Sequence, residues 1–327
     1  MIRVALVASL LALACARKLS TSGSLSFLAL GDWGGQPSSP YYTTAEKDIA
    51  AAMGKTAQNV GSQFTIALGD NFYDMGVTNV NDPRFKETFE NVFTASALQS
   101  RWYALCGNHD HYGNASAEVA YTQLSKRWYM PNFYYTETMT IPGTTTTVQF
   151  IFIDTVILCG ATHPTKRSLP PPGPQSHTMA DDEWAWINDT LATSTADWIL
   201  MFGHYPVWSV AEHGPTQQLV DQLRPLLMQY GVTGYFCGHD HSLQYINDTN
   251  VNYFVCGAGH LTDDSESHVQ DIPRDSLKYR YAPLDPLDQH GGYASVTLTP
   301  LTMDVTYYDA SGSELFTTTV PNSRKQG

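Results

Sequence analysis

The chain has 327 residues, 43% of them apolar, with a net charge of -13 and a pI near 5.1. The apolar share supplies a full globular core, and the acidic charge argues against a nucleic-acid backbone as partner. An anionic substrate stays open, because bound cations would set the local field.

Residues 1–16 read as a signal peptide. Arg3 precedes an apolar run from Val4 to Ala14, and Ala14-Cys15-Ala16 fits the small-x-small cleavage rule. A bacterial lipobox ending in Cys15 is the alternative. The run is too short to span a bilayer, and no later segment is long enough, so no membrane anchor is expected. Residues 17–327 show no break in composition and read as one domain. Sequons at Asn114, Asn188 and Asn247 fit a secreted or lysosomal glycoprotein. Cleavage would leave Cys106, Cys159, Cys237 and Cys256, without Cys-x-x-Cys spacing, as small buried thiols.

In chain order, Leu25–Leu30 predicts a strand, Thr43–Val60 a helix capped by Thr44, and Phe64–Leu68 a buried strand. Asp82-Pro83-Arg84 opens a helix to about Phe93, and Trp102–Cys106 is the next strand. Phe133–Ile141 and Val148–Asp154 predict paired strands across a Pro142-Gly143 turn. The Pro-rich stretch 161–177 predicts a long loop, either a linker or a flap over a site. Met179–Leu191 and Leu219–Tyr230 predict helices around the strand Trp198–Phe202, and Gly234–Cys237 predicts another strand. Runs at 252–256, 293–298, 303–308 and 314–320 predict a second sheet, with 263–288 as a loop.

The chemistry sits where apolar runs end in glycine. A carboxylate just past a strand lies at a sheet edge, where α/β folds build their sites. Asp32 and Asp70 occupy such places. Asp70 can bridge two metal ions through its two oxygens, and Tyr73 can supply a phenolate. Asn108 offers an amide oxygen, and His204 an imidazole. His239 and His241 are two apart and share a face of extended backbone. With Asp70 shared, these residues give each of two metals four protein ligands and leave positions for water and substrate. Phenolate and carboxylate suit Fe(III), while imidazole and amide suit Fe(II) or Zn(II), with Mn(II) a further option. Such a pair fits hydroxide attack on phosphorus. His163, His177, His260, His268 and His290 lack this context and read as structural or exposed.

Five blocks carry a resemblance: Gly31-Asp32-Trp33-Gly34, Gly69-Asp70-Asn71-Phe72-Tyr73, Gly107-Asn108-His109-Asp110, Gly203-His204 and Gly238-His239-Asp240-His241. In this order they resemble the metallophosphoesterases, and with the tyrosine of the second block the purple acid phosphatases. Gly203-His204-Tyr205-Pro206 and Glu212-His213-Gly214-Pro215 are similar to the small, mammalian-type, tartrate-resistant members. The resemblance implies a calcineurin-like α/β (α+β) fold, two β-sheets packed as a sandwich with helices outside. It implies an acid phosphatase acting on small phosphomonoesters or phosphoproteins. The acidic charge speaks against a nucleic-acid partner, and with no interface signal in the sequence a monomer is expected. It places Fe(III) on Asp32, Tyr73 and His241, and a divalent metal on Asn108, His204 and His239. His109 and His213 would bind phosphate and protonate the leaving group. The loop at 160–178 would be the flap where a protease activates family members, with Lys166-Arg167 as the nick. The family's flap disulfide would pair Cys159, but its partner position holds Gln218, so no such bridge is expected. Two other classes compete: an iron carrier with incidental hydrolysis, and a phosphodiesterase of the same superfamily. A carrier needs no leaving-group acid, so His109 and His213 speak for the enzyme.

Overall fold

The computed structural model describes residues 23–163, 169–281 and 291–325. The expected signal peptide, His290 and Lys166-Arg167 lie outside the described residues. The chain runs through β1 (Leu25–Leu30), α1 (Thr44–Val60), β2 (Phe64–Ala67) and β3 (Trp102–Ala104). Two short helices follow, α2 (Asn108–Tyr112) and α3 (Ala115–Tyr121), then β4 (Trp128–Tyr129). The hairpin β5 (Tyr135–Thr140) and β6 (Thr147–Phe152) leads through α4 (Thr155–Cys159) and α5 (His177–Thr193) to β7 (Trp198–Phe202). Then come α6 (Gln217–Gln229), β8 (Gly234–Cys237), β9 (Leu243–Asp248) and β10 (Val251–Cys256). The last strands are β11 (Leu277–Arg280), β12 (Gly292–Leu298), β13 (Thr302–Asp309) and β14 (Glu314–Pro321).

Among the described residues these strands form two seven-stranded sheets, ordered β14-β13-β12-β1-β2-β3-β4 and β11-β9-β10-β8-β7-β6-β5. The C-terminal runs therefore do not make a sheet of their own. β12 pairs antiparallel with β1, while β10 joins β8 in the second sheet. β1 is buried along its whole length, so it needs a partner on both edges, and a distant segment supplies the second.

Strand alternation builds two layers of core. Phe150, Phe202, Phe236 and Phe254 point between the sheets and meet Phe27 and Phe64 of the first. Phe152, Phe202, Phe236 and Phe254 stack in one row, their successive ring centroids 5.1, 5.3 and 4.7 Å apart. Their neighbours Ile151, Ile199, Met201, Tyr235 and Val255 face outward against Ile187 and Leu191 of α5 and Leu219, Leu223 and Leu227 of α6.

Smaller departures have local causes. The cap of α1 is Thr43, not Thr44: its hydroxyl accepts from Glu46 N, and its own N–H donates back to the Glu46 carboxylate. The helix expected over 82–93 is a single π-helical segment, Phe85–Glu90. β11 lies inside the stretch expected as a loop.

Candidate metal centre

β1, β2 and β3 run parallel in one sheet, and β6, β7, β8 and β10 run parallel in the other. Their C-terminal ends release Asp32, Asp70, Asn108, His204 and His239 into loops that meet between the sheets. The glycines before the ligands let these loops touch. A Cβ on Gly107 would lie 2.2 Å from Asp70 Oδ1, and one on Gly238 would lie 2.4 Å from Asp32 Oδ2. Asp32, Asp70 and His239 hold left-handed φ values of 59°, 51° and 70°. Such backbone persists in non-glycine residues only where the surroundings over-determine it, and it clusters at functional sites. His239 and His241 thus do not share an extended face; the left-handed turn at His239 brings both to the cleft instead.

All seven expected ligands gather here. Oxygen or nitrogen atoms of Asp32, Asp70 and His204 lie within 4.8 Å of one another. The Tyr73 hydroxyl is 3.1 Å from Asp32 Oδ1 and 3.1 Å from His241 Nε2. Asn108 Oδ1 is 3.1 Å from His204 Nε2, which is 3.4 Å from Asp70 Oδ1. The His239 ring lies 5.1 Å from that of His204. His204 Nδ1 donates to Leu68 O at 2.9 Å, which fixes the ring and leaves Nε2 as the atom that would face a bound metal.

The electrostatics call for added positive charge. Burial pushes the Asp32 carboxyl up to about 8, with His204 opposing and Asp70 reinforcing the shift. Burial and both carboxylates raise the Tyr73 phenol well above its ordinary range. For Asp70 burial also opposes the charge, but His204 and His109 outweigh it and hold the carboxyl below its usual range. Burial and four flanking imidazoles, His213 first, push His239 well down. Two carboxylates and a phenol packed together in a dry site fit cations bound between them.

Beyond the ligands, His109 and His213 line the same cleft. His109 Nδ1 donates to Asp74 O at 2.6 Å, which leaves Nε2 facing Asp70 Oδ2 at 3.9 Å. Buried Asp240 accepts the His213 backbone N–H at 2.8 Å and lies 3.2 Å from its Nδ1. Asp110 ties the loops together, accepting N–H groups from Gly107, Asn71 and Phe72.

The sequence reading missed two histidines. His163 lines the cleft, carried by Thr162, whose N–H and carbonyl bond to Tyr205 and Tyr112. His260 packs against Tyr73 at 4.8 Å. Gly259-His260, just past the apolar run of β10, carried the same glycine-then-ligand signal as the five blocks. Cys106, Cys159, Cys237 and Cys256 are all free and buried. Gln218 Nε2 donates to the backbone of Leu158, next in sequence to Cys159, at 2.8 Å.

Residues 25–243 match the calcineurin-like phosphoesterase family. Tartrate-resistant acid phosphatase type 5 of Oryctolagus cuniculus is 46% identical over 304 residues, 92% of each chain. Purple acid phosphatase 7 of Arabidopsis thaliana is 32% identical over 309 residues, 91% of this chain and 86% of that protein. Among solved structures, GAP50, the anchor in the inner membrane complex of Plasmodium, superposes with a TM-score of 0.77 at 22% identity, over 92% of this chain and 90% of that one, a likeness of fold. The chain belongs to the calcineurin-like phosphoesterases, and within them to the purple acid phosphatases.

Proposed function

We propose that the chain is an acid phosphatase that hydrolyses phosphate monoesters at a binuclear iron centre, Fe(III) with Fe(II), or with Zn(II) or Mn(II) at the second position. The observation that carries this is the Tyr73 hydroxyl, buried and 3.1 Å from both Asp32 and His241. The family and its named acid phosphatases support the reaction class. Asp32, Tyr73 and His241 would hold the ferric ion, Asn108, His204 and His239 the divalent ion, and Asp70 both.

When bound, the pair supplies positive charge to the phosphoryl oxygens and acidifies a water that can attack phosphorus. The protein's own groups do the rest. His109 and His213 face the cleft outside the ligand set, where they bind the remaining phosphate oxygens. His213, oriented by Asp240, passes a proton to the leaving alkoxide. The cleft is lined by polar groups, among them Asn108, His109, His213 and His241, which suits recognition of the phosphoryl group itself in small phosphomonoesters or phosphoproteins. An iron carrier would need no such Asp-backed histidine.

Secretion or lysosomal delivery belongs to the same proposal. Asn114 and Asn188 are exposed and open to glycosylation, whereas Asn247 is half-buried in β9 with its Nδ2 bonded to Asn252. Proteolytic activation at the 160–178 loop and a monomeric state complete it.

The test joins colour to catalysis. The natively purified protein should show a broad visible band that shifts from purple toward pink on mild reduction. It should also cleave monoesters in acid far faster than diesters. A colourless, metal-loaded protein would remove the Tyr73–iron assignment, and a preference for diesters would remove the phosphatase reading.

A further inference from the structure

His260 lies outside the seven expected ligands, yet it touches two of them. It follows β10 through Gly257-Ala258-Gly259, and the Gly259 N–H donates to Gly31 O at 2.9 Å. That bond draws the loop after β10 against the loop after β1, although the two strands belong to different sheets. A Cβ on Gly259 would lie 2.3 Å from Gly31 O, so the approach needs glycine. The adjacent His260 Nδ1 then lies 2.8 Å from Asp32 O. A carbonyl only accepts, so Nδ1 carries the proton and donates. The imidazole ring leans on Tyr73, centroids 4.8 Å apart at 45°, and its centroid is 5.3 Å from that of His241. Tyr73 also meets His109 edge-on at 4.6 Å. The phenol thus lies among imidazoles, and both His109 and His260 are themselves fixed by Nδ1–H bonds to backbone carbonyls. Asp32 needs this support, because a left-handed backbone persists at a non-glycine residue only where its neighbours hold it.

We propose that His260 is a positioning residue for the Tyr73 side of the metal pair. It holds the backbone of Asp32 and packs on the ring of Tyr73, and so sets both the grip on the metal and the colour of the Tyr73–iron bond. This rests on the iron reading given above.

The two contacts separate chemically. His260→Asn keeps a short N–H donor for Asp32 O and removes the ring from Tyr73. His260→Phe keeps a ring and removes the donor. Visible spectra, metal content, circular dichroism and the rate of metal loss to a chelator are measured on the natively purified wild type and both variants. Loss of an outer partner of a metal ligand costs about 10–100-fold in metal affinity. His260→Phe should therefore surrender its resident metal at least about 10-fold faster than wild type. His260→Asn should keep near-wild-type retention but show a displaced absorption maximum. Unchanged bands and unchanged retention in both variants would overturn the proposal. A colourless wild type would instead overturn the iron assignment. The chelator rates would then decide for His260 alone: fast loss in His260→Phe supports it, and wild-type retention overturns it. If His260→Phe fails to fold, the His260→Asn band decides, displaced for the proposal and unmoved against it.

Discussion

Among the described residues three groups of side chains bring metal-ligand atoms within 4.8 Å of one another, and two of them differ in how their charges are answered. Asp32, Asp70 and His204 form one; Cys106, His111 and Asp154 form the other. In the second, the charges answer one another. Asp154 Oδ1 accepts the N–H groups of Val156 and Ile157 at the start of α4, and its Oδ2 lies 2.7 Å from His111 Nε2. Burial keeps the Cys106 thiol protonated, and its Sγ rests 3.9 Å from Met130 Sδ. In the first, two carboxylates face each other, a phenol lies between one of them and an imidazole, and burial raises both Asp32 and Tyr73. The same residue types make a closed ion pair in one place and an open set of donors in the other. Proximity of ligands alone does not mark a metal centre; in this pair of groups the difference lies in how the buried charge is answered.

The largest effect should come from breaking the open set. Asp70→Asn removes the oxygen charge that both metals would share. Metal content should fall, and kcat/KM should drop by at least about 100-fold, since a metal supplies several kcal/mol of charge stabilisation. The matched change in the closed set, Asp154→Asn, should leave metal content intact and cost only about 1–3 kcal/mol of stability. Elemental analysis beside thermal melts compares the two, and equal metal loss in both would erase the distinction. Next in size is His213→Ala. It should lower kcat by about 100-fold or more while metal is retained, because proton transfer by a positioned side chain contributes about that much. Metal lost together with activity would make His213 a structural support instead.

Much of this contrast was legible in the sequence. Asp32, Asp70, Asn108, His204 and His239 each follow a glycine at the end of an apolar run, and the structure explains the glycine by the close approach of the loops. The apolar runs themselves also marked which strands are buried. Other features were hidden for physical reasons. His239 reaches the cleft through a left-handed turn, which a period of two does not encode. The pairing of β12 with β1 is a contact between chain ends, and local pattern does not say which edge a strand will join. His163 carries no glycine signal, because its place is set by the two tyrosines that pin Thr162. Asp240 and Asp154 were visible as residues, but their tasks depend on which imidazole the fold brings to each.

The smallest expected effect sharpens the closed side of the comparison through pH. Burial opposes the charge on His111, but Asp154 at 2.7 Å outweighs it, so His111 stays protonated above its ordinary range. A group whose pKa rises on folding stabilises the protein fully below its unfolded value, about 6.5 here, and loses that contribution as pH rises through the folded value. His111→Gln keeps a donor for Asp154 and removes the charge. The glutamine still donates to a charged carboxylate and loses only the ion-pair attraction, so the variant should be about 1 kcal/mol less stable in acid. The gap between wild type and variant, read from denaturant melts, should be widest below about pH 6.5 and should narrow as pH rises above that through the raised folded value. A gap that stays flat would mean that His111 acts through shape alone, and a gap that widens with pH would reverse the sign of the argument. The same variant should keep its full metal content, because His111 answers a carboxylate and not a cation. Loss of metal would mean that the two regions are coupled, and that the closed ion pair supports the open centre from behind.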